Sequence, residues 1–355
     1  MSRLVAQGFA GREAGAVALG EPLELSHDPR RAEVVGVTQR PAAERRKPEA
    51  EDGPDVAVAR GADDALRHRP RRFASRFVAG ETVDSGVAAL KNLNAAGITA
   101  SLDVLGESVH NAAEAHAARD TYLETLDRIR GARADANVSL KLTQMGLDID
   151  ERLCVENLRA IIARAQAHSS FVRIDMEQSE YAERTLQLFK RTFHAEFGNT
   201  VGVVLQSYLR RTEQDVEQMI ALGARVRLCK GAYQEPATVA FPDKRDVDTT
   251  YVGCMERLLL RGTYPGIATH DARIIEHAKT FARDKGIAPA RFEFQMLYGV
   301  RRDLQLALRR QGYNVRVYVP FGTQWYPYLM RRLAERPANV AFLLGNVLRE
   351  SLRRS

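Results

Sequence analysis

The sequence has little of what marks a secreted, membrane-spanning or metal-scaffolded protein. Its 355 residues include three cysteines, Cys154, Cys229 and Cys254. None stands in a CxxC pair and three cannot all be bridged, which argues against a disulfide framework or a multi-cysteine zinc centre. His270-Asp271 alone supplies no ligand set, so no metal is expected. No apolar run reaches the length of about 18 residues that a membrane-spanning helix needs. The opening MSRLVAQGFAGREAGAVALGEPLE carries acids and no clean apolar centre, so it does not read as a secretory signal. A reducing cytoplasm fits these absences. No GxGxxG follows the first strand-like run, which leaves a nucleotide-binding doubly wound sheet without support.

Residues 1–72 lack still more. They hold a single aromatic, Phe9, and mix charge, Pro and Gly with neither helical nor strand period, as in RPAAERRKPEAEDGPD. This composition predicts a disordered tail over 1–72. A small appended domain is the alternative, but the apolar content is low for a core of its own.

The chain is basic, with 52 Lys and Arg against 45 Asp and Glu and a net charge of +7. Such a balance points towards phosphate, nucleic acid or a membrane surface. The arginines are scattered through helical stretches, however, as on a solvated surface, and no nucleic-acid partner is expected. The C-terminal LGNVLRESLRRS is basic and partly amphipathic. It reads either as a peripheral contact with an anionic membrane or as a plain solvated helix.

From Phe73 onward the pattern becomes regular, and 73–355 reads as one domain. Strand-like runs occur at 99–106, 137–145, 171–177, 201–207, 225–231, 266–271, 292–297 and 315–322. Between them lie segments with apolar residues at helical spacing, such as NLRAIIARAQAH and EQDVEQMIALGA. Eight such alternations predict an α/β fold of the (βα)8 TIM-barrel type, usually roughly 250 residues long.

Barrel chemistry gathers at the C-terminal ends of the strands. Those ends carry Lys141; Asp175, Met176 and Glu177; Gln206; Arg227 and Lys230-Gly231-Ala232; Thr269-His270-Asp271; Glu293 and Gln295; and Tyr318. The helix after the eighth run, WYPYLMRRLAERPAN, adds Arg331 and Arg332. Neighbouring helical positions point about 100° apart, so these two arginines cannot share one solvent face. Each polar residue has a structural explanation alone: Lys141 snorkelling outward, Asp175 in an ion pair, His270 satisfied in the core, Gln206 capping a loop. Together they do not fit a barrel core that is normally filled by Val, Ile and Leu. Buried charge is costly unless paired or liganded. The cations Lys141, Arg227, Lys230, Arg331 and Arg332 outnumber Asp175 and Glu293, which implies an anionic ligand. A guanidinium forks two donors onto a carboxylate or phosphate.

The motifs RFVAGET, SLKLTQMG, RIDMEQSEY, VVLQSYLRRT, VRLCKGAY, ATHD, FEFQMLYG and YVPFGTQWYPYLMRRLAERPAN, in this order, resemble the flavin-dependent proline dehydrogenases. The likeness is to their short, monofunctional bacterial form. It runs from about Arg76 to about Asn346. It implies a distorted (βα)8 barrel holding FAD over its strand ends, with the last barrel helix over the mouth. It implies oxidation of L-proline to Δ1-pyrroline-5-carboxylate, with electrons passed to a membrane quinone and Δ1-pyrroline-5-carboxylate dehydrogenase as a partner. By the same resemblance Arg331, Arg332 and Lys141 hold the proline carboxylate, and Tyr318 packs beside the substrate ring. Arg227 hydrogen-bonds flavin N5, and Asp175 organises Lys141 or Arg227. Met176, Gln206, Lys230, Gly231, Ala232, Thr269 and His270 match FAD contacts, with Glu293 a candidate for the ribityl or adenosine part.

Three rivals stay open. A hydroxyproline or related cyclic amino acid is an alternative substrate. Lys141 or Lys230 could form a Schiff base, as in lysine-dependent aldolases. The barrel could also bind a flavin or an amino acid without catalysing anything.

Overall fold

The computed structural model describes residues 75–106 and 109–334, with the side chains of the last helix described through Met330. The expected 1–72 tail and the C-terminal LGNVLRESLRRS lie outside the described residues.

Eight strands close into a parallel barrel in sequence order. They are β1 (Thr99–Val104), β2 (Ala136–Leu140), β3 (Val172–Ile174), β4 (Val201–Gln206), β5 (Arg225–Cys229), β6 (Gly266–Ala268), β7 (Glu293–Leu297) and β8 (Asn314–Phe321). β8 closes onto β1 with Ser101 opposite Tyr318. The helices are α1 (Val83–Ala95), α2 (Ala112–Gly131), α3 (Glu151–Ala167), α4 (Ser179–Leu188), α5 (Thr212–Ala221), α6 (Lys244–Arg261), α7 (Ala272–Asp284), α8 (Arg302–Arg310) and α9 (Trp325–Ala334). α4 runs on into a π-helical turn, Phe189–His194. This is the (βα)8 barrel that the alternating pattern predicts.

Local chemistry sets where several helices start. Thr82, Asn111, Asp150, Asp243 and Asp271 each cap a helix by accepting a hydrogen bond from a backbone N–H of its first turn. A cap of this type contributes about 1 kcal/mol. The strands are buried on both faces, as parallel strands usually are. One set of alternating positions, including Leu102, Val138, Ile174, Val203, Val226, Ile267 and Val317, is apolar and almost fully buried. Each such side chain is worth about 1.5–3 kcal/mol on burial.

The other set is unusual for a barrel core. Arg173 is 1% exposed, and its Nη1 donates to the carbonyls of Val203 (3.0 Å) and Arg225 (2.7 Å). Its guanidinium lies 4.7 Å from the Phe171 ring centre. Glu293, 2% exposed, accepts from Arg316 Nε at 2.9 and 3.1 Å. The buried interior is therefore held together by hydrogen-bonded charges as well as by packing.

Candidate active site

A cavity of about 570 Å³ opens at the C-terminal ends of the strands. Lys141, Asp175, Met176, Gln206, Arg227, Lys230, Gly231, Ala232, Thr269, His270 and Tyr318 all line it. Each comes from a strand end or from the turn that follows, so the topology alone brings these distant positions together. α9 contributes Tyr328 to the same wall, which puts that helix at the mouth. The side chains of Arg331 and Arg332 lie outside the described residues; the backbone of α9 carries both positions.

Asp175 sits at the centre of the polar contacts. One carboxylate oxygen accepts from Arg227 Nη1 at 2.7 Å and the other from the Tyr318 hydroxyl at 2.8 Å. Arg227 also donates from Nη2 to Ser139 Oγ (3.1 Å) and from Nε to Gln295 Oε1. Its charge lies 5.2 Å from the Tyr318 ring centre, in the range of a cation–π contact. Burial, then the negative charges of Asp103 and Asp175, push the Tyr318 phenol well above its ordinary pKa. It is thus a neutral donor at any working pH.

Asp175 is thus paired with Arg227. Lys141 also has a carboxylate close by, with Nζ 3.6 Å from Asp103 Oδ1. Asp103 in turn accepts a long hydrogen bond from the buried Tyr122 hydroxyl at 3.5 Å.

Also lining the cavity, Lys230 has its Nζ 2.5 Å from Asp248 and 3.5 Å from Asp271. Lys244 also pairs with Asp248. A lysine nitrogen held between two carboxylates is already engaged and not directed at a carbonyl carbon. That geometry counts against the Schiff-base reading of Lys230. Burial works against ionisation of Asp271, but the Arg273 backbone N–H and the Lys230 charge outweigh it and hold its carboxyl below the usual range. His270 Nε2 accepts from the backbone N–H of Leu297 at 2.9 Å, which puts the proton of a neutral ring on Nδ1. Gly231 has φ +110°, and a Cβ there would overlap the Tyr208 ring. The KGA turn therefore needs glycine for both conformation and space.

Glu293 is not at the cavity. It lies one layer deeper, with its carboxylate engaged by Arg316, by Gln295 Nε2 (2.5 Å) and by the Tyr264 hydroxyl (3.3 Å). It is not among the residues that line the cavity, since alternate residues of a strand share a face but not a level. Ser139, Lys244 and Tyr328 were not singled out, and Gln295 was noted at a strand end but given no role. Ser139 and Gln295 sit two positions from Lys141 and Glu293 on strand-like runs, so the period-2 rule could have placed them inside the barrel.

Fold and site together define a (βα)8-barrel protein with a large polar-lined cavity at the strand ends. A family model described as proline dehydrogenase matches residues 87–344. Proline dehydrogenase 2 of Bacillus subtilis strain 168 is 44% identical over 282 residues, covering 78% of this chain and 92% of that protein. Proline dehydrogenase of Deinococcus radiodurans is 43% identical over 287 residues, 80% of this chain and 92% of that one. Among solved structures, proline utilization A of Bdellovibrio bacteriovorus superposes with a TM-score of 0.71 at 26% identity. That match covers 76% of this chain but only 33% of that longer one. The chain belongs to the proline dehydrogenase family.

Proposed function

We propose that the chain is an FAD-dependent dehydrogenase that oxidises L-proline to Δ1-pyrroline-5-carboxylate and passes the electrons to a quinone. The observation that carries this reading is the Tyr318–Asp175–Arg227 arrangement inside a cavity whose lining includes the positions that the family resemblance assigns to substrate and flavin.

The residues present fit a flavin. Gln206 is 3% exposed and donates from Nε2 to the Met176 carbonyl at 3.3 Å. Its buried Oε1 has no donor among the described residues. An acceptor so placed suits an imide N–H of the kind an isoalloxazine carries. Three of the five Arg227 N–H groups are used by Asp175, Ser139 and Gln295. The other two are available to a ring nitrogen. Lys230 and Lys244 line the cavity and would supply donors to a pyrophosphate.

When bound, FAD supplies a two-electron acceptor for the hydride that leaves the ring carbon beside the proline nitrogen, while the amine gives up a proton and a C=N bond forms. The protein's own part is position and charge. Lys141, with Arg331 and Arg332 from α9, fixes the substrate carboxylate. Tyr318, held by Asp175, walls the pyrrolidine ring and limits room for a ring hydroxyl. Arg227 keeps a fixed positive charge where negative charge develops.

The test is stoichiometry. Purified protein given L-proline and a soluble quinone is expected to reduce one quinone per proline consumed, with Δ1-pyrroline-5-carboxylate identified by mass spectrometry. A flavin-containing protein that consumes no proline would overturn this reading in favour of the non-catalytic binding barrel.

A further inference from the structure

Glu293 lies below the cavity, yet it is joined to it by one continuous hydrogen-bonded line. Glu293 Oε1 accepts from Gln295 Nε2 at 2.5 Å. Gln295 Oε1 accepts from Arg227 Nε. Arg227 reaches Asp175, which holds Tyr318. Glu293 and Gln295 are two apart on β7 and face the same way into the barrel.

A glutamine amide can usually turn over at little cost, because its oxygen and nitrogen ends have similar shape. Here it cannot. An ionised carboxylate only accepts, so the amino end of Gln295 must face Glu293 and the carbonyl end must face Arg227. Arg227 Nε needs that acceptor. The barrel clears space for the amide: a Cβ on Gly266, on the neighbouring strand, would stand 2.8 Å from Gln295 Cδ.

Glu293 is also kept ionised. Burial opposes its charge, but the Arg316 guanidinium and the hydrogen bonds from Arg316 and Gln295 outweigh it and hold the carboxyl below its usual range. Arg316 is anchored separately, donating from Nη1 to the Ala100 carbonyl at 2.8 Å.

We propose that Glu293 is a positioning residue: by fixing the Gln295 amide it fixes the direction of the Arg227 guanidinium, and so sets the redox potential of the group that Arg227 faces in the cavity. This rests on the reading above that the group is a flavin. Glu293 does not line the cavity that would hold substrate and cofactor. Its effect reaches them only through two intervening side chains.

Two variants separate this from a purely structural role. Glu293→Gln keeps the shape but allows the amide line to reverse. Glu293→Met/Arg316→Met removes the buried ion pair together with its desolvation penalty, a change that is often neutral or stabilising. In each, the midpoint potential of bound FAD is measured by equilibrium with dithionite and a reference dye. The rate constant for flavin reduction is followed against L-proline concentration. The expected result is a more negative potential in both variants. The limiting reduction rate falls roughly tenfold to a hundredfold, as small displacements at a reacting centre do. Half-saturation by proline stays unchanged. Variants that fold, bind FAD and keep the wild-type potential and rate would overturn the proposal.

A wild-type flavin that proline does not bleach would sink the functional reading, while the dithionite potentials would still decide this one. If the protein carries no flavin, the redox half of the proposal falls with the functional reading, and crystal structures of wild type and double variant decide whether Glu293 positions Arg227. The Arg227 guanidinium is expected to rotate away from residue 295, and an unchanged guanidinium would refute the claim.

Discussion

The carboxylate of Asp175 lies 2.7 Å from the guanidinium of Arg227, in a setting where their side chains are only 13% and 8% exposed. Two opposite charges this close and this dry hold each other in a fixed direction. Breaking such a pair by removing one partner leaves the other charged, buried and uncompensated. Asp175→Ala is therefore expected to cost about 3–5 kcal/mol in unfolding free energy, measured by urea denaturation, and to abolish proline turnover. Asp175→Asn, which keeps the shape, should cost less stability and lose nearly as much activity.

Tyr318→Phe is the milder probe of the same group. It keeps the ring over Arg227 but leaves one Asp175 oxygen without its donor. The expected stability cost is about 1–3 kcal/mol. Steady-state kinetics should show a loss in kcat/KM for L-proline with flavin content unchanged, and a relative gain for hydroxyproline. Because the phenol is pushed well above its ordinary value, Tyr318 adds no alkaline limb to the wild-type pH profile below about pH 10.

Gly231→Ala tests the KGA turn. A left-handed φ of +110° and the Tyr208 ring both exclude a side chain. The strain alone costs about 1–3 kcal/mol. The turn has to shift, so FAD retained through gel filtration should fall while far-ultraviolet circular dichroism stays that of a barrel.

Glu293 gives a pH prediction with a definite sign. Its carboxyl is depressed in the folded state, whereas in an unfolded chain it titrates at about 4.3. Its contribution to stability is complete above that value and is lost as pH falls below it towards the folded pKa. Urea midpoints measured from pH 6 down to pH 3 should fall less steeply for Glu293→Met/Arg316→Met than for the wild type. Parallel slopes would contradict the assignment.

Much of this was legible in the sequence because parallel-barrel strands announce themselves as short buried runs. All eight runs correspond to strands, but several were read too far at their C-terminal ends. The run 137–145 holds a strand that stops at Leu140, and 266–271 one that stops at Ala268. The excess residues, Lys141 and Thr269-His270 among them, continue a strand-like sequence after the hydrogen-bonded ladder has ended. Residue type cannot show where that ladder stops, and those overrun positions are where the cavity lies. That Glu293 lies beneath the cavity lining was hidden for a related reason. Sequence period separates inside from outside, but not the mouth from the layer beneath it. The partners of each charge were also hidden. Asp175 with Arg227, and Lys141 with Asp103, are set by the stagger between strands, which only the closed barrel fixes.

The most direct test of the whole account is the visible spectrum of the purified protein before and after L-proline is added without oxygen. The account predicts flavin bands that bleach on addition of proline. A protein that stays colourless when FAD is supplied, or whose flavin bands are untouched by proline, would contradict it.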